Sequence, residues 1–263
     1  MNMATTINTA GETEANVARG TDTASNICAV AAATAATAER DKYSAAWDLP
    51  GYRQFSPGEQ AVPHLLTMTP SPLDGVESII DFGTGCGRAA LMLHRMGKQV
   101  TMLDIAKNCL DEAVAEQIGE HLHLGCLWDH LTLTPLGRAD MGYCTDVMEH
   151  IPPEHVDAVL KNIVSRVDRA VFTIAFFEDH FGAEIGETLH LTVKPFTWWR
   201  DKLRSLGTLI HAVDMIDTGL FVLEDARRLR DARHLRGTQH LRGTQHLRGT
   251  QHLRDARHLR GEQ

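Results

Sequence analysis

Apolar residues fall along this chain in short runs separated by helical stripes. The runs Ser78–Phe82, Val100–Leu103, Ala170–Phe177 and Leu220–Leu223 are apolar almost throughout, as strands buried on both faces are. Between them apolar positions recur every three or four residues, which predicts helices with one buried face. Read in order, the pattern gives a helix at Gln60–Thr67, a loop at Pro70–Pro72, and strands at Ser78–Phe82 and Gln99–Leu103. Helices are expected at Arg88–Met96 and Ala106–Ile118, a third strand at His121–Leu124 and a fourth at Asp140–Thr145. A helix over Pro153–Val167, opened by proline at its first position, leads to the fifth strand at Ala170–Phe177. A helix at Thr197–Leu206 and a closing pair, Thr208–Asp214 with Leu220–Glu224, complete the series. Strands alternating with helices imply an α/β domain built on a mostly parallel sheet.

The two ends break this pattern. Residues 1–40 are mostly Ala, Thr, Asn and Glu, and bury too little apolar surface to offset the entropy of ordering them. The patch Asn26–Ala31 lacks the basic flank of a signal peptide. From Arg227 onward a His-Leu-Arg-Gly-Thr-Gln unit repeats, with ten arginines against Asp231, Asp255 and Glu262, although the formal charge of the chain is −8. Such a basic arm on an acidic body can bind nucleic acid; it equally reads as a tandem duplication that leaves a solvated tail. The expected organisation is a disordered segment at 1–40, a lead-in or lid at 41–75, one domain at 76–225, and the basic repeat at 226–263.

Composition narrows the setting. A chain of 263 residues has room for one ordinary α/β domain plus tails. No run approaches the roughly eighteen apolar residues that cross a membrane. Five cysteines, odd in number and never spaced C-x-x-C, argue for a reducing, cytoplasmic setting and against disulfides or structural zinc.

The densest chemistry lies at Asp81-Phe-Gly-Thr-Gly-Cys-Gly87, between a strand and a helix. Glycines at 83, 85 and 87 let the backbone turn tightly and approach a ligand. The following helix points its N-terminus at the same place. Asp104 ends the second strand 19 residues beyond Gly85, about where an acid grips ribose hydroxyls. An acid two residues before the first glycine would repel a pyrophosphate, but suits a ligand with an ammonium and a sulfonium, such as S-adenosylmethionine.

Further along, Asp146-Val-Met-Glu149-His150-Ile-Pro leaves the fourth strand at its carboxyl end, where open α/β sheets bind ligands. Together with Asp81–Gly87 and Leu103-Asp104, this run resembles the class I S-adenosylmethionine-dependent methyltransferases over roughly Val76 to Glu224. Its Asp-x-x-Glu-His set is similar to that of ubiquinone-type O-methyltransferases. The resemblance implies a Rossmann-like sheet of seven strands, mostly parallel with the last antiparallel, and helices on both faces. It implies that Asp81, Gly83, Thr84, Gly85 and Gly87 surround the methionine moiety. Asp104, with Ile105 beside it, would hold the ribose, and Leu127 and Trp128 would lie against the adenine, with Asp146 close by. Trp128 reads equally well as a core residue.

The resemblance implies transfer of a methyl group to oxygen or nitrogen of a small-molecule acceptor. His150 is a candidate general base. Asp146, Glu149, His150 and His190 offer two carboxylates and two imidazoles, a set that can hold Mg²⁺ or Mn²⁺. That set is also similar to the terminal small-RNA 2′-O-methyltransferases, so a metal-assisted RNA enzyme is one alternative; a protein that binds the cofactor without turnover is another. The chain has no Asp/Asn-Pro-Pro-Tyr run and no cysteine after proline, which argues against methylation of base amino groups or cytosine C5. Trp47, Tyr52 and Arg53 are candidates for a lid.

Overall fold

A computed structural model describes residues 33–225. The outer stretches read above as disordered segment and basic repeat lie largely outside these residues. The described chain opens with helix α1, residues 33–47, which starts inside the stretch expected to be disordered. Its anchors are Ala36, Ala46 and Trp47, all buried, the last at 8 % exposure. A short helix α2, Pro50–Arg53, and helix α3, Pro57–Thr67, follow.

Strand β1 (Ser78–Phe82), helix α4 (Arg88–Arg95) and strand β2 (Gln99–Asp104) match the expected elements closely. The helix expected from Ala106 forms only over α5, Glu112–Ile118. Residues 106–111 instead form a turn, because Asp104 binds the Ala106 amide and Arg53 holds the carbonyls of Asn108, Cys109 and Leu110. Strand β3 (Leu122–Leu124) is followed by a small helix α6, His130–Leu133, that the pattern does not predict.

Strand β4 is Ala139–Thr145. Helix α7 occupies Val156–Val164, preceded by a 3₁₀ turn at Pro153–His155, so the proline starts a tighter turn than the α-helix expected there. Strand β5 is Val167–Ala175, helix α8 is Phe196–Arg204, and the closing pair is β6 (Thr208–Asp214) and β7 (Thr218–Glu224).

The seven strands lie in the order β3-β2-β1-β4-β5-β7-β6. All neighbours are parallel except at β7, which runs antiparallel to both β5 and β6. The fold is therefore the expected one, a mostly parallel seven-stranded sheet with a reversed last strand. One face packs Leu65, Leu91, Leu93 and Val114 from α3, α4 and α5 against Ile79, Met102 and Val222. The other packs Val159, Leu160, Ile163, Trp199 and Leu203 from α7 and α8 against Phe82, Phe172 and Phe221. Strand order reverses between β1 and β4, which opens a crevice at their carboxyl ends. A third, smaller cluster of Trp47, Cys86, Ala106 and Cys109 pins α1 over that crevice.

Among the described residues no helix is long and apolar enough to cross a membrane. Cys86, Cys109, Cys126 and Cys144 are buried free thiols, and burial pushes Cys126 up to about 12. Thiols held protonated in this way are packing residues rather than nucleophiles.

Candidate active site

The glycine loop is held by β2. The amides of Gly83 and Thr84 both donate to the Leu103 carbonyl, at 2.8 and 3.0 Å. The Gly85 amide donates to Asp104 Oδ2 at 2.9 Å, while the other Asp104 oxygen accepts from the Ala106 amide, also at 2.9 Å. Asp104 thus faces the loop across 19 residues of sequence, as its position at the end of β2 predicts.

The glycines clear space for protein as well as for ligand. Gly83 has φ +74°, and a Cβ there would come within 2.6 Å of Val147, which follows β4. Gly85 has φ +55°, and its Cβ would meet the Trp47 ring at 2.9 Å. These left-handed conformations favour glycine in any case.

The loop, the end of β2, the exit from β4 and helix α1 line a partly open cavity. Gly83, Gly85, Asp104, Ile105, Leu127, Trp128, Asp146 and His150, all expected site residues, line it together. Asp81 and Thr84 line an adjoining cleft, shared with Gly83, Gly85 and Asp146. Gly87 lines neither; it sits at the N-terminus of α4 with φ +76°, against Val114 and Leu110.

Several wall residues were not among the site residues of the sequence reading, among them Glu39, Tyr43, Gly125, Val147 and Ile151. Glu39, Tyr43 and Trp47 recur at i, i+4 and i+8 on α1, so a single stripe faces the cavity. That spacing was visible, but the Ala- and Thr-rich context concealed it. Of the lid candidates, Trp47 and Tyr52 line the cavity. Arg53 instead donates to Trp47 O and to the 108–110 carbonyls, so it fastens α1 and α2 to the body.

Electrostatics of the site are dominated by buried acids. Asp81 is 2 % exposed and its Oδ2 accepts from Thr84 Oγ1 at 2.7 Å. Burial raises its carboxyl to about 7, against the pull of the Thr84 hydroxyl. Asp104 is also raised by burial, a shift its backbone amide donors oppose. Asp146 has φ +58°, an unusual conformation for a residue with a side chain and one that sets the direction of its carboxylate. Burial raises Asp146, and it raises Glu149 well above the carboxylate range with Asp146 adding to the effect.

His150 is 8 % exposed, and its Nδ1 lies 2.9 Å from the Tyr43 hydroxyl and 3.2 Å from the Leu189 carbonyl. Burial lowers its pKa to about 3, so the ring is neutral near pH 7. The His190 ring packs edge-on against it at 4.6 Å, with His190 Nδ1 at 2.6 Å from the Phe177 carbonyl.

The expected metal set does not assemble. Among the described residues no three His, Cys, Asp or Glu side chains are placed to hold a metal ion. Asp146, Glu149, His150 and His190 are close, but one Glu149 oxygen and both histidine Nδ1 atoms are turned to protein. Glu149 Oε1 accepts from the Ala175 amide, and the histidine Nδ1 atoms face Tyr43, Leu189 and Phe177. The Glu149 carbonyl accepts from the Leu191 and Thr192 amides, so this residue ties the β4 exit to β5 and to the 189–192 segment. The Mg²⁺ or Mn²⁺ expectation therefore gives way to a packing role.

The residues do fit S-adenosylmethionine. The cavity and the cleft beside Asp81 adjoin through Gly83, Gly85 and Asp146. Asp81, Asp104 and Asp146 around it favour a cationic ligand and disfavour a pyrophosphate. Trp128 Nε1 is buried with no hydrogen-bond partner, a donor left for a ligand on the cavity wall. One face of Trp128 is stacked on His155 at 4.7 Å.

Comparison with known proteins agrees. Residues 79–169 match the family model of a methyltransferase domain. Comparison with curated proteins gives no match. Among solved structures, a chain in the complex between the Haloferax volcanii Trm112 methyltransferase activator and the putative methyltransferase superposes with a TM-score of 0.55 at 16 % identity, covering 70 % of this chain and 96 % of that one. An O-methyltransferase family protein from Burkholderia thailandensis gives 0.50 at 14 % identity over 64 % of this chain; the match spans 56 % of that protein's length. Magnesium protoporphyrin IX methyltransferase from Synechocystis PCC 6803 with bound S-adenosylmethionine gives 0.48 at 19 % identity, covering 66 % of this chain and 80 % of that one. Residues 79–169 thus match a methyltransferase domain, and the seven-stranded sheet with its reversed last strand is the fold that the resemblance to class I S-adenosylmethionine-dependent methyltransferases implies.

Proposed function

We propose that the chain transfers a methyl group from S-adenosylmethionine to an oxygen or nitrogen of a small-molecule acceptor. The observation that carries this reading is the tie between Asp104 and the Gly85 amide beside a cavity walled by Trp128 and α1. Asp104 would hold the ribose, Asp81 and Thr84 the amino-acid end, and Leu127 and Trp128 the base. When bound, the cofactor would supply an activated methyl group, open to in-line displacement at its carbon with the sulfur leaving as a thioether. The protein's share is to align the acceptor and keep water out. Trp47, Tyr52 and Tyr43 cover the cavity with aromatic surface, which serves the second task.

A neutral His150 can accept a proton from an acceptor hydroxyl. Its pKa of about 3 makes it a weak base, so positioning carries more of the rate than proton removal does. The RNA alternative rests on the metal set and on the basic tail. The first does not assemble, and the second lies outside the described residues.

The test is transfer of a labelled methyl group from S-adenosylmethionine to a panel of phenols, alcohols and amines, with a structured RNA as control. Labelled small-molecule product, and none on RNA, is expected. Label on RNA alone, lost on removal of residues 226–263, would overturn the reading.

A further inference from the structure

Asp146 lines three spaces at once: the main cavity, the cleft beside Asp81, and a separate cleft between α3 and the β5–β7 pair of strands. Only Pro57 and Asp146 are common to the last two, so these residues form the partition between them.

The separate cleft has the makings of a binding site. Thr173, only 8 % exposed, lines it, and its hydroxyl has no hydrogen-bond partner. A buried hydroxyl without a partner costs stability unless a ligand or water completes it. Beside it the Asp146 amide donates to the Thr173 carbonyl at 2.9 Å, so the orphan hydroxyl and the carboxylate belong to adjoining strand ends. Ala61, Leu220 and Met215 supply apolar wall, and Gln60 and His64 on the exposed side of α3 form a polar rim.

Resting on the methyltransferase reading, we propose that this cleft between α3 and β7 is where the methyl acceptor binds. The acceptor has an apolar body and enters with a neutral or cationic hydroxyl or amine group directed at Thr173 and Asp146. Its head reaches the cofactor cavity past the Asp146 partition. A carboxylate head meets the Asp146 carboxylate and is rejected by like charge. The cofactor cavity and the acceptor cleft are thus distinct spaces that share one acid.

The experiment uses the full chain saturated with S-adenosylhomocysteine, whose binding is first measured by calorimetry. Protein carrying ¹³C-methyl methionine is then titrated with benzylamine, benzyl alcohol and benzoate, which share one ring and differ in head charge. The expected result is a saturable shift of the Met215 methyl signal with the amine and the alcohol, and about tenfold or more weaker binding of benzoate. Thr218→Trp, which fills the cleft, should abolish the shift while homocysteine-ligand affinity stays unchanged. Binding of S-adenosylhomocysteine with no Met215 response to any probe would overturn the proposal alone. So would benzoate binding as tightly as the amine, or a Thr218→Trp protein that still responds. Absence of S-adenosylhomocysteine binding would instead remove the methyltransferase reading beneath it.

Discussion

The two banks of the crevice are built in opposite ways. On the β1–β2 bank, every key tie joins residues close in sequence: the loop amides to Leu103, Gly85 to Asp104, Asp81 to Thr84. On the β4–β5 bank the ties reach across the chain, from His150 to Tyr43 and Leu189 and from Glu149 to Ala175. A bank closed within some 25 residues can be carried whole as a motif. One assembled from four distant segments has no single sequence signature, and its side chains can change role without changing type. In the proposed function, the ribose and amino-acid contacts of the cofactor fall on the first bank and the acceptor's surroundings on the second.

The sharpest way to break this comparison is at its local centre. Asp104→Ala removes a charged acceptor of the Gly85 and Ala106 amides and of the expected ribose hydroxyls. Charge-assisted hydrogen bonds contribute about 1.5–3 kcal/mol each, so cofactor affinity should fall about a hundredfold or more by calorimetry. A loss under threefold would mean that Asp104 only shapes the loop.

Gly85→Ala comes next. A methyl group at φ +55° meets Trp47 at 2.9 Å, and backbone strain of this kind costs about 1–3 kcal/mol. Denaturant unfolding should show that loss. Trp47→Leu in the same chain should recover part of it, as expected when one side chain closes the loop from above. Additive losses would place the strain in the backbone alone.

Asp81 offers a pH test. Its folded pKa is raised above the ordinary 3.8 to about 7, so ionising it costs the ligand-free protein stability as pH rises across that interval. An ammonium ligand needs the ionised form. Cofactor affinity should therefore climb by about tenfold from pH 6 to pH 8 and then level, with proton release on binding. Asp81→Asn should flatten the difference between pH 6 and pH 8; an unchanged slope would assign the proton to another group.

The smallest expected effect lies on the distant bank. Tyr43→Phe removes one buried hydrogen bond to His150, worth about 1 kcal/mol of stability, and should leave cofactor affinity within about threefold. A loss as large as that of Asp104→Ala would erase the distinction between the banks.

The same distinction explains what the sequence revealed. β1, α4 and β2 were legible because glycine, strand and acid occur within one short unit whose geometry is locally determined. Seven cofactor-side residues named from that unit and from the β3 and β4 ends do line the cavity. The first half of the helix expected at Ala106–Ile118 was not legible as a turn, since Arg53, more than fifty residues upstream, supplies the donors that hold it open. Helix α1 was hidden by composition: Ala and Thr hid a stripe whose few large side chains, Tyr43 and Trp47, provide its anchoring. Asp146, Glu149, His150 and His190 were correctly brought together, yet as ligands for a metal. Only the structure shows one Glu149 oxygen turned to Ala175 and the histidine Nδ1 atoms turned to Tyr43, Leu189 and Phe177.

The measurement that tests the central claim most directly is a calorimetric comparison of S-adenosylhomocysteine with NAD⁺ on the same protein. The acids Asp81 and Asp104, both buried, and Asp146 beside them predict micromolar binding of S-adenosylhomocysteine and no measurable binding of NAD⁺. Tighter binding of NAD⁺, or no heat with S-adenosylhomocysteine, would contradict the account.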